Sequence, residues 1–394
     1  KLNFMSLFKK LPLLLLIVSM LSSCKEKRED QTLSNEVILD TSFAGARLNK
    51  FQKIEKGKYV GYIYPENEPV NSSPWFAIGL QAEKLIQIEL QLNYGDYQHR
   101  YIPKLSYDLV NWQPLESSKI KIDTVRHTAT LSLKILSKKI YVAAQELESS
   151  AKTYSWADSL QLAMPDLKKA VAGKTVLGND NYVLLHESEK VLNSVVLIAR
   201  QHPPEIPGGT IGFKSFFETI FSDSELAKTF RASFNVYAFP LLNPDGADMG
   251  NWRHNANGVD LNRDWVAFSQ PETQMVKHFV EEKVEEGKKV RFALDFHTSH
   301  TGPYLLVLDS ISENKTDKII PDWIAQIEKS SNFKVQARRR SQELPYCYNY
   351  FFNEFGSEAV TYEDGDEIDR AIIKRKAKNY AEALMKILLE KRFE

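Results

Sequence analysis

The hydrophobic repeat changes once along this chain, and that change limits its fold more than any other feature. From about Val37 to Gln145 apolar and polar residues alternate: Ile86, Ile88, Leu90 and Leu92 stand against Gln87, Glu89, Gln91 and Asn93. A period of two belongs to a strand with one wet face. Similar runs at Tyr59–Tyr64, Trp75–Leu80, Ala129–Leu136 and Ile140–Ala144 are separated by Pro, Asn, Gly and Asp, so residues 37–150 are expected to form an all-β sandwich. Beyond Asn181 the runs become apolar throughout, at Val195–Ala199, Phe234–Leu241, Val290–Phe296 and Tyr304–Leu308. They alternate with amphipathic stretches at Phe213–Ile220, Glu272–Val284, Asp322–Lys329 and Asp369–Lys391. Buried strands between helices predict an α/β domain over residues 181–394 with its sheet covered on both faces. The polar stretch 151–180, helical only around Ala157–Leu162, reads as a linker.

Composition narrows the function classes. Hydrophobic residues make up 43% of the 394, and 51 Lys+Arg balance 51 Asp+Glu. The first figure excludes a disordered chain, and the second argues against a nucleic-acid partner, which normally demands a basic excess. Near the amino end, Lys9 and Lys10 precede an apolar run from Leu11 to Leu21 and then Ser22-Ser23-Cys24. The 11-residue run is short for a membrane span, which takes about 20 residues. Leu21-Ser22-Ser23-Cys24 resembles a bacterial lipobox. Residues 1–23 are therefore expected to be a lipoprotein signal peptide, Cys24 the lipidated residue, and 24–36 a charged tether. A plain signal peptide with an incidental Cys is the alternative. With Cys24 acylated, Cys347 would remain without a disulfide partner and reads as a small buried hydrophobe.

The chemistry concentrates after residue 198. The strand ending at Ala199 leads into His202-Pro203-Pro204-Glu205 and Pro207-Gly208-Gly209; a second buried strand, Arg291–Phe296, leads into His297. Strand ends converge on one edge of an open α/β sheet, where sites are built. Two imidazoles and one carboxylate leave a fourth tetrahedral position open, the arrangement of a catalytic zinc, so one Zn2+ per chain is expected on His202, Glu205 and His297. His300 is a competing ligand. Between these lie Asn243-Pro244-Asp245-Gly246, Gly250-Asn251-Trp252-Arg253 and Gly258-Val259-Asp260-Leu261-Asn262-Arg263-Asp264-Trp265.

This ordered set, closed by the D-x-H of Asp295-Phe296-His297, resembles the zinc metallocarboxypeptidase family, and particularly its cytosolic-carboxypeptidase-like branch, which carries an amino-terminal β-sandwich. The resemblance implies a mixed β-sheet flanked by helices behind that sandwich, with His202, Glu205 and His297 as the zinc ligands. By the same resemblance Asp260 hydrogen-bonds the first ligand His, and Arg253 polarises the scissile carbonyl. Asn262 and Arg263 would grip the terminal carboxylate of the substrate. Gly356-Ser357-Glu358-Ala359-Val360-Thr361-Tyr362-Glu363 is similar to the family's closing strand, which makes Glu363 the general base. Glu358, Asp364, Asp366 and Glu367 are nearby alternatives, otherwise read as a solvated acidic turn. Tyr348 falls at the specificity pocket, where the tubulin-processing branch has a basic residue. Tyr346 and Tyr350 compete with it for substrate contact, and Arg338-Arg339-Arg340 reads as a solvated basic turn, with the supply of positive charge to that pocket as the alternative.

The function so implied is a zinc carboxypeptidase acting on peptide or protein carboxy termini, lipid-anchored in a bacterial cell envelope. One alternative is a metallopeptidase or amidase that cuts cell-wall peptides. Another is a non-catalytic surface lipoprotein that binds a partner through its sandwich. Such a scaffold would have no reason to hold ligands, arginines and base together.

Overall fold

The computed structural model describes residues 37–308 and 318–393, so Cys24 and the expected signal and tether lie outside the described residues. The described residues form one compact unit. Ten strands make up its first part. One sheet orders β1 (Ile38–Asp40), β4 (Ala77–Gln81), β10 (Ile140–Ala143), β6 (Lys104–Ser106) and β7 (Gln113–Pro114). The other orders β2 (Lys50–Glu55), β3 (Lys58–Tyr62), β5 (Ile86–Asn93), β9 (Thr128–Ile135) and β8 (Ile120–Asp123). In β5 the alternation does what it predicts: Ile88, Leu90 and Leu92 are buried while Gln87 and Glu89 face water. Those three join Ile78, Leu80, Leu131, Leu133 and Val142 in a single apolar core.

The second part is built on a mixed eight-stranded sheet. Its strands are β11 (Lys168–Lys174), β12 (Asp180–His186), β13 (Asn193–Ala199), β14 (Asn235–Phe239), β15 (Lys289–Ser299), β16 (Tyr304–Leu308), β17 (Ala337–Arg340) and β18 (Glu358–Gly365). They lie in the order β11-β12-β14-β13-β15-β18-β16-β17, and β13, β14, β15 and β18 run parallel at the centre. The uninterrupted apolar run of β13 follows from its place there. Val195, Leu197 and Ala199 face a core under the helices α2 (Phe213–Ile220), α3 (Glu225–Ser233), α6 (Ile319–Ser330) and α8 (Arg370–Glu390). Val196 and Ile198 face another, under α5 (Pro271–Glu285) and α7 (Cys347–Phe355).

Three expectations are corrected. The linker 151–180 is ordered secondary structure: α1 (Ser150–Ala163), capped by the Ser149 side chain on the Lys152 N–H, and then edge strand β11 paired with β12. Polar residues suit an edge strand and a surface helix, so their composition concealed both. Arg338-Arg339-Arg340 is no turn but part of β17, which pairs in parallel with β16. His297 lies inside β15 rather than beyond it, paired with Glu363 of β18.

Candidate active site

Strand β13 delivers the first ligands. Arg200, just past it, takes a left-handed conformation (φ 57°) and is fully buried, its guanidinium donating to Thr210 Oγ1 at 2.6 Å and to the Glu148 carbonyl at 3.2 Å. Burial lowers its pKa to about 10. The chain then turns through His202 and Glu205 into a wide helical turn, Pro207–Gly212, which lies against β15. Gly208 makes that contact possible: a Cβ there would stand 1.8 Å from the carbonyl oxygen of His297.

The turn brings Glu205 between two imidazoles. Its Oε1 is 2.8 Å from His202 Nδ1 and its Oε2 is 2.7 Å from His297 Nδ1. The three donor atoms lie within 4.8 Å of one another and all three residues are buried or nearly so. The far nitrogen of each ring is tied to a carboxylate, His202 Nε2 to Asp260 Oδ1 at 2.9 Å and His297 Nε2 to Asp295 Oδ2 at 2.8 Å. Such outer carboxylates fix the ring orientation and raise the basicity of the inner nitrogen. Two Nδ1 atoms and a carboxylate, so buttressed, fit a tetrahedral zinc with one position open. His300 is exposed, with Nδ1 3.5 Å from Asp366, and is not in the cluster.

The same pocket, about 340 Å³, is lined by Arg253, Asn262, Arg263, Tyr346, Tyr348 and Glu363 as well as the three clustered residues. Arg253 Nε donates to Asp260 Oδ2 at 2.6 Å, so Asp260 joins His202 to this arginine; burial pushes its carboxyl up, but His202, Arg253 and Arg263 beside it hold it far below the usual carboxylate range. Asn262 accepts the Cys347 N–H on Oδ1 at 3.0 Å and stands 3.3 Å from His297 Nε2. Arg263, part-exposed, lies 4.4 Å over the Tyr346 ring. Tyr350 packs on Trp265 and Phe268 instead, so only Tyr346 and Tyr348 of the three tyrosines face the pocket.

Glu363 and Glu205 are the carboxylates of that lining. Burial, reinforced by the charges of Glu205 and Asp295, pushes Glu363 up to about 8 against the pull of His297 and Arg253. Its Oε2 is buried with no hydrogen-bond partner among the described residues. The alternative carboxylates are engaged elsewhere; Glu358, Asp364 and Asp366 are buried, so of the solvated acidic turn that was expected only Glu367 is exposed and in a turn. Glu358 accepts the Ile319 and Ile320 N–H groups at 2.7 Å at the far end of β18. Asp364 pairs with Lys376 at 2.5 Å, Asp366 with Arg100 at 2.7 Å and Glu367 with Lys104 at 2.8 Å.

Sequence reasoning missed several contributors. Asp295 had a signal, since D-x-H on a strand sets both side chains on one face. Gln201 donates to Asp295 Oδ2 at 2.7 Å and accepts the Trp265 indole N–H at 2.8 Å. Arg100, from the sandwich, lines the pocket without any sequence signal that would place it there, whereas Arg340 lines it as the alternative reading of the basic run allowed.

A donor cluster of this kind on a mixed sheet behind a β-sandwich defines a candidate metallohydrolase. The model of the zinc carboxypeptidase family matches residues 153–387, and the chain belongs to that family, which implies zinc at this site. Human cytosolic carboxypeptidase 2 is 34% identical over 186 residues, 43% of this chain and 20% of the relative. Mouse cytosolic carboxypeptidase 3 is 30% identical over 151 residues, 36% of this chain and 15% of the relative. The chain thus spans a fifth or less of these two relatives. A metallo-carboxypeptidase from Burkholderia cenocepacia has the same fold at 21% identity, TM-score 0.72, covering 90% of this chain and 98% of its own. One from Pseudomonas aeruginosa, solved with (2-guanidinoethylmercapto)succinic acid, gives TM-score 0.74 at 18% identity, covering 90% of this chain and all of the other.

Proposed function

We propose that this protein is a zinc-dependent carboxypeptidase that removes carboxy-terminal residues from peptides or protein tails, from a lipid anchor at Cys24. The carrying observation is one pocket that joins the His202, Glu205 and His297 donors to an unpartnered carboxylate, Glu363, and to the guanidiniums of Arg253 and Arg263. Zinc held by those donors would polarise a carbonyl and lower the pKa of a bound water toward about 7. Glu363 accepts a proton in the pocket and passes it to the leaving amine. Asp260 takes Arg253 through Nε, which leaves the terminal nitrogens for the developing oxyanion. Asn262 and Arg263 receive the terminal carboxylate, a task for a planar donor fork. Asp260 and Asp295 hold the two imidazoles in register throughout.

The carboxylate grip is tested by amidation. Charge-assisted hydrogen bonds are worth about 1.5–3 kcal/mol, so amidating a good substrate should lower kcat/KM by roughly 10–10²-fold. Arg263→Ala should shrink that difference by slowing the free acid. Tyr348 lines the pocket at the position read as its specificity residue, so peptides ending in neutral or apolar residues should be cleaved faster than those ending in Glu. Equal cleavage of amide and acid, or mostly internal fragments, would assign the site to an endopeptidase or amidase.

A further inference from the structure

Arg253 and its neighbour Trp252 leave the same loop for opposite halves of the molecule. Trp252 is fully buried in the core of the sandwich, its ring edge-on to Tyr97 at 5.1 Å. Arg253 goes to Asp260 and the pocket. What holds the backbone between them comes from the sandwich. Glu66, in the connection from β3 to β4, accepts the Trp252 N–H on Oε2 at 2.7 Å, and the Arg253 and His254 N–H groups on Oε1 at 2.9 and 2.8 Å. The same Oε1 lies 2.8 Å from His254 Nδ1, and His254 Nε2 is 3.1 Å from the Pro69 carbonyl. Asn67 adds a bond to the Gly258 carbonyl at 2.7 Å, and Arg47 one to Asn251 Oδ1 at 3.1 Å.

Three successive amides drawn to one carboxylate leave the backbone at 252–254 little freedom in φ and ψ, and so set where the Arg253 side chain starts. Error there is amplified along the side chain, and a displacement of about 1 Å at a reacting centre can cost 10²-fold in rate. We propose that Glu66 is a positioning residue for Arg253, so that the sandwich, without supplying a reacting group, sets the alignment of the site's oxyanion donor. The inference rests on the role assigned to Arg253 in the proposed function.

A double-mutant cycle on the full chain tests it, with kcat, KM and zinc content measured on one peptide substrate for Glu66→Gln, Arg253→Ala and the pair. Loss of one oxyanion donor costs about 10²–10³-fold in kcat, which is the expectation for Arg253→Ala. Glu66→Gln should keep zinc and KM, because the donor cluster and Asn262 and Arg263 are held elsewhere, and should lower kcat by about 10–10²-fold. In the Arg253→Ala background it should lower kcat no further, whereas a merely structural role would act equally in both backgrounds. Equal effects in the two backgrounds, loss of zinc, or an unchanged kcat in Glu66→Gln would overturn the proposal. If Arg253→Ala itself leaves kcat unchanged, the role of Arg253 fails first and this inference with it. Glu66→Asp keeps the charge one methylene short and replaces Glu66→Gln in the cycle should that variant not fold; its kcat loss too should vanish without Arg253.

Discussion

Glu363 and His297 stand side by side in the parallel ladder, and their neighbourhood decides how each titrates. Glu363 reaches about 8 through burial and two nearby carboxylates; a dication on His202, Glu205 and His297 would pull it lower. A base must be ionised, so kcat/KM should fall as pH drops through that lowered value, placing an acid limb below pH 8. Glu363→Gln should lose the limb, keep its zinc, and turn over about 10²–10⁴-fold more slowly. Near-normal turnover would hand the base role to another acid. His297→Ala should lose stoichiometric zinc by elemental analysis while its far-UV dichroism stays native. Full occupancy in that variant would move the ligand to His300. At this scale the donors were legible because each comes from a short local pattern, H-x-x-E after one strand and D-x-H along another. Arg340 was legible only as the lesser of two readings, since three arginines in a row look alike whether they meet water or a pocket.

Among the elements, the turn Pro207–Gly212 does most to assemble the site, because it presses Glu205 against β15. Gly208 carries that contact, and the consequence is a sharp prediction. A Cβ at 208 would meet backbone, the His297 carbonyl at 1.8 Å, whereas one at Gly209 would come no nearer than 3.0 Å, to the Arg200 side chain. Overpacking typically costs about 1–3 kcal/mol, and a backbone clash belongs at or above the top of that range. Gly208→Ala should therefore lower the urea midpoint strongly and reduce zinc content, because the displaced strand carries a donor. Gly209→Ala should be milder in both. Similar midpoints for the two variants would show that the turn yields freely. The sandwich strands β3, β4, β5, β9 and β10, the strands β13 to β16 and the helices α2, α5, α6 and α8 were legible from period. β11 and β17 were not, because an edge strand needs no apolar run.

Across the whole molecule, the sandwich is bound to the α/β part by charges as well as by Trp252. Arg100 meets Asp366, Lys104 meets Glu367 and Glu66 holds the 252–254 loop. Although burial opposes ionisation of Glu66, its bonds from the His254 ring and the loop amides lower its pKa to about 2 from 4.5. A carboxyl depressed on folding stabilises the protein above its unfolded value and stops doing so as pH falls through the folded one. The wild-type protein should thus exceed Glu66→Gln in stability by up to about 3 kcal/mol above pH 4.5, with the gap closing toward pH 2. A gap that stays constant on acidification would mean that the charge contributes nothing. Among the described residues no helix is long and apolar enough to cross a membrane. The proposed lipid anchor has its own test: Cys24→Ser should release the protein from the detergent phase, and unchanged partitioning would defeat the lipid anchor.

By itself the sequence determined which chemistry this protein can carry, because the zinc-ligand types and their spacings are local and strand ends gather on one edge of a parallel sheet. It also determined the two-part architecture, since each hydrophobic period is the imprint of how many faces of a strand are buried. Only the tertiary structure decided which acid stays free beside the donors. Glu363 differs from Glu358, Asp364, Asp366 and Glu367 in partners drawn from distant elements, not in type. Only the tertiary structure decided, too, that Glu66 grips a loop 186 residues away. A carboxylate that accepts backbone N–H groups matches them by geometry, and backbone amides are the same in every sequence.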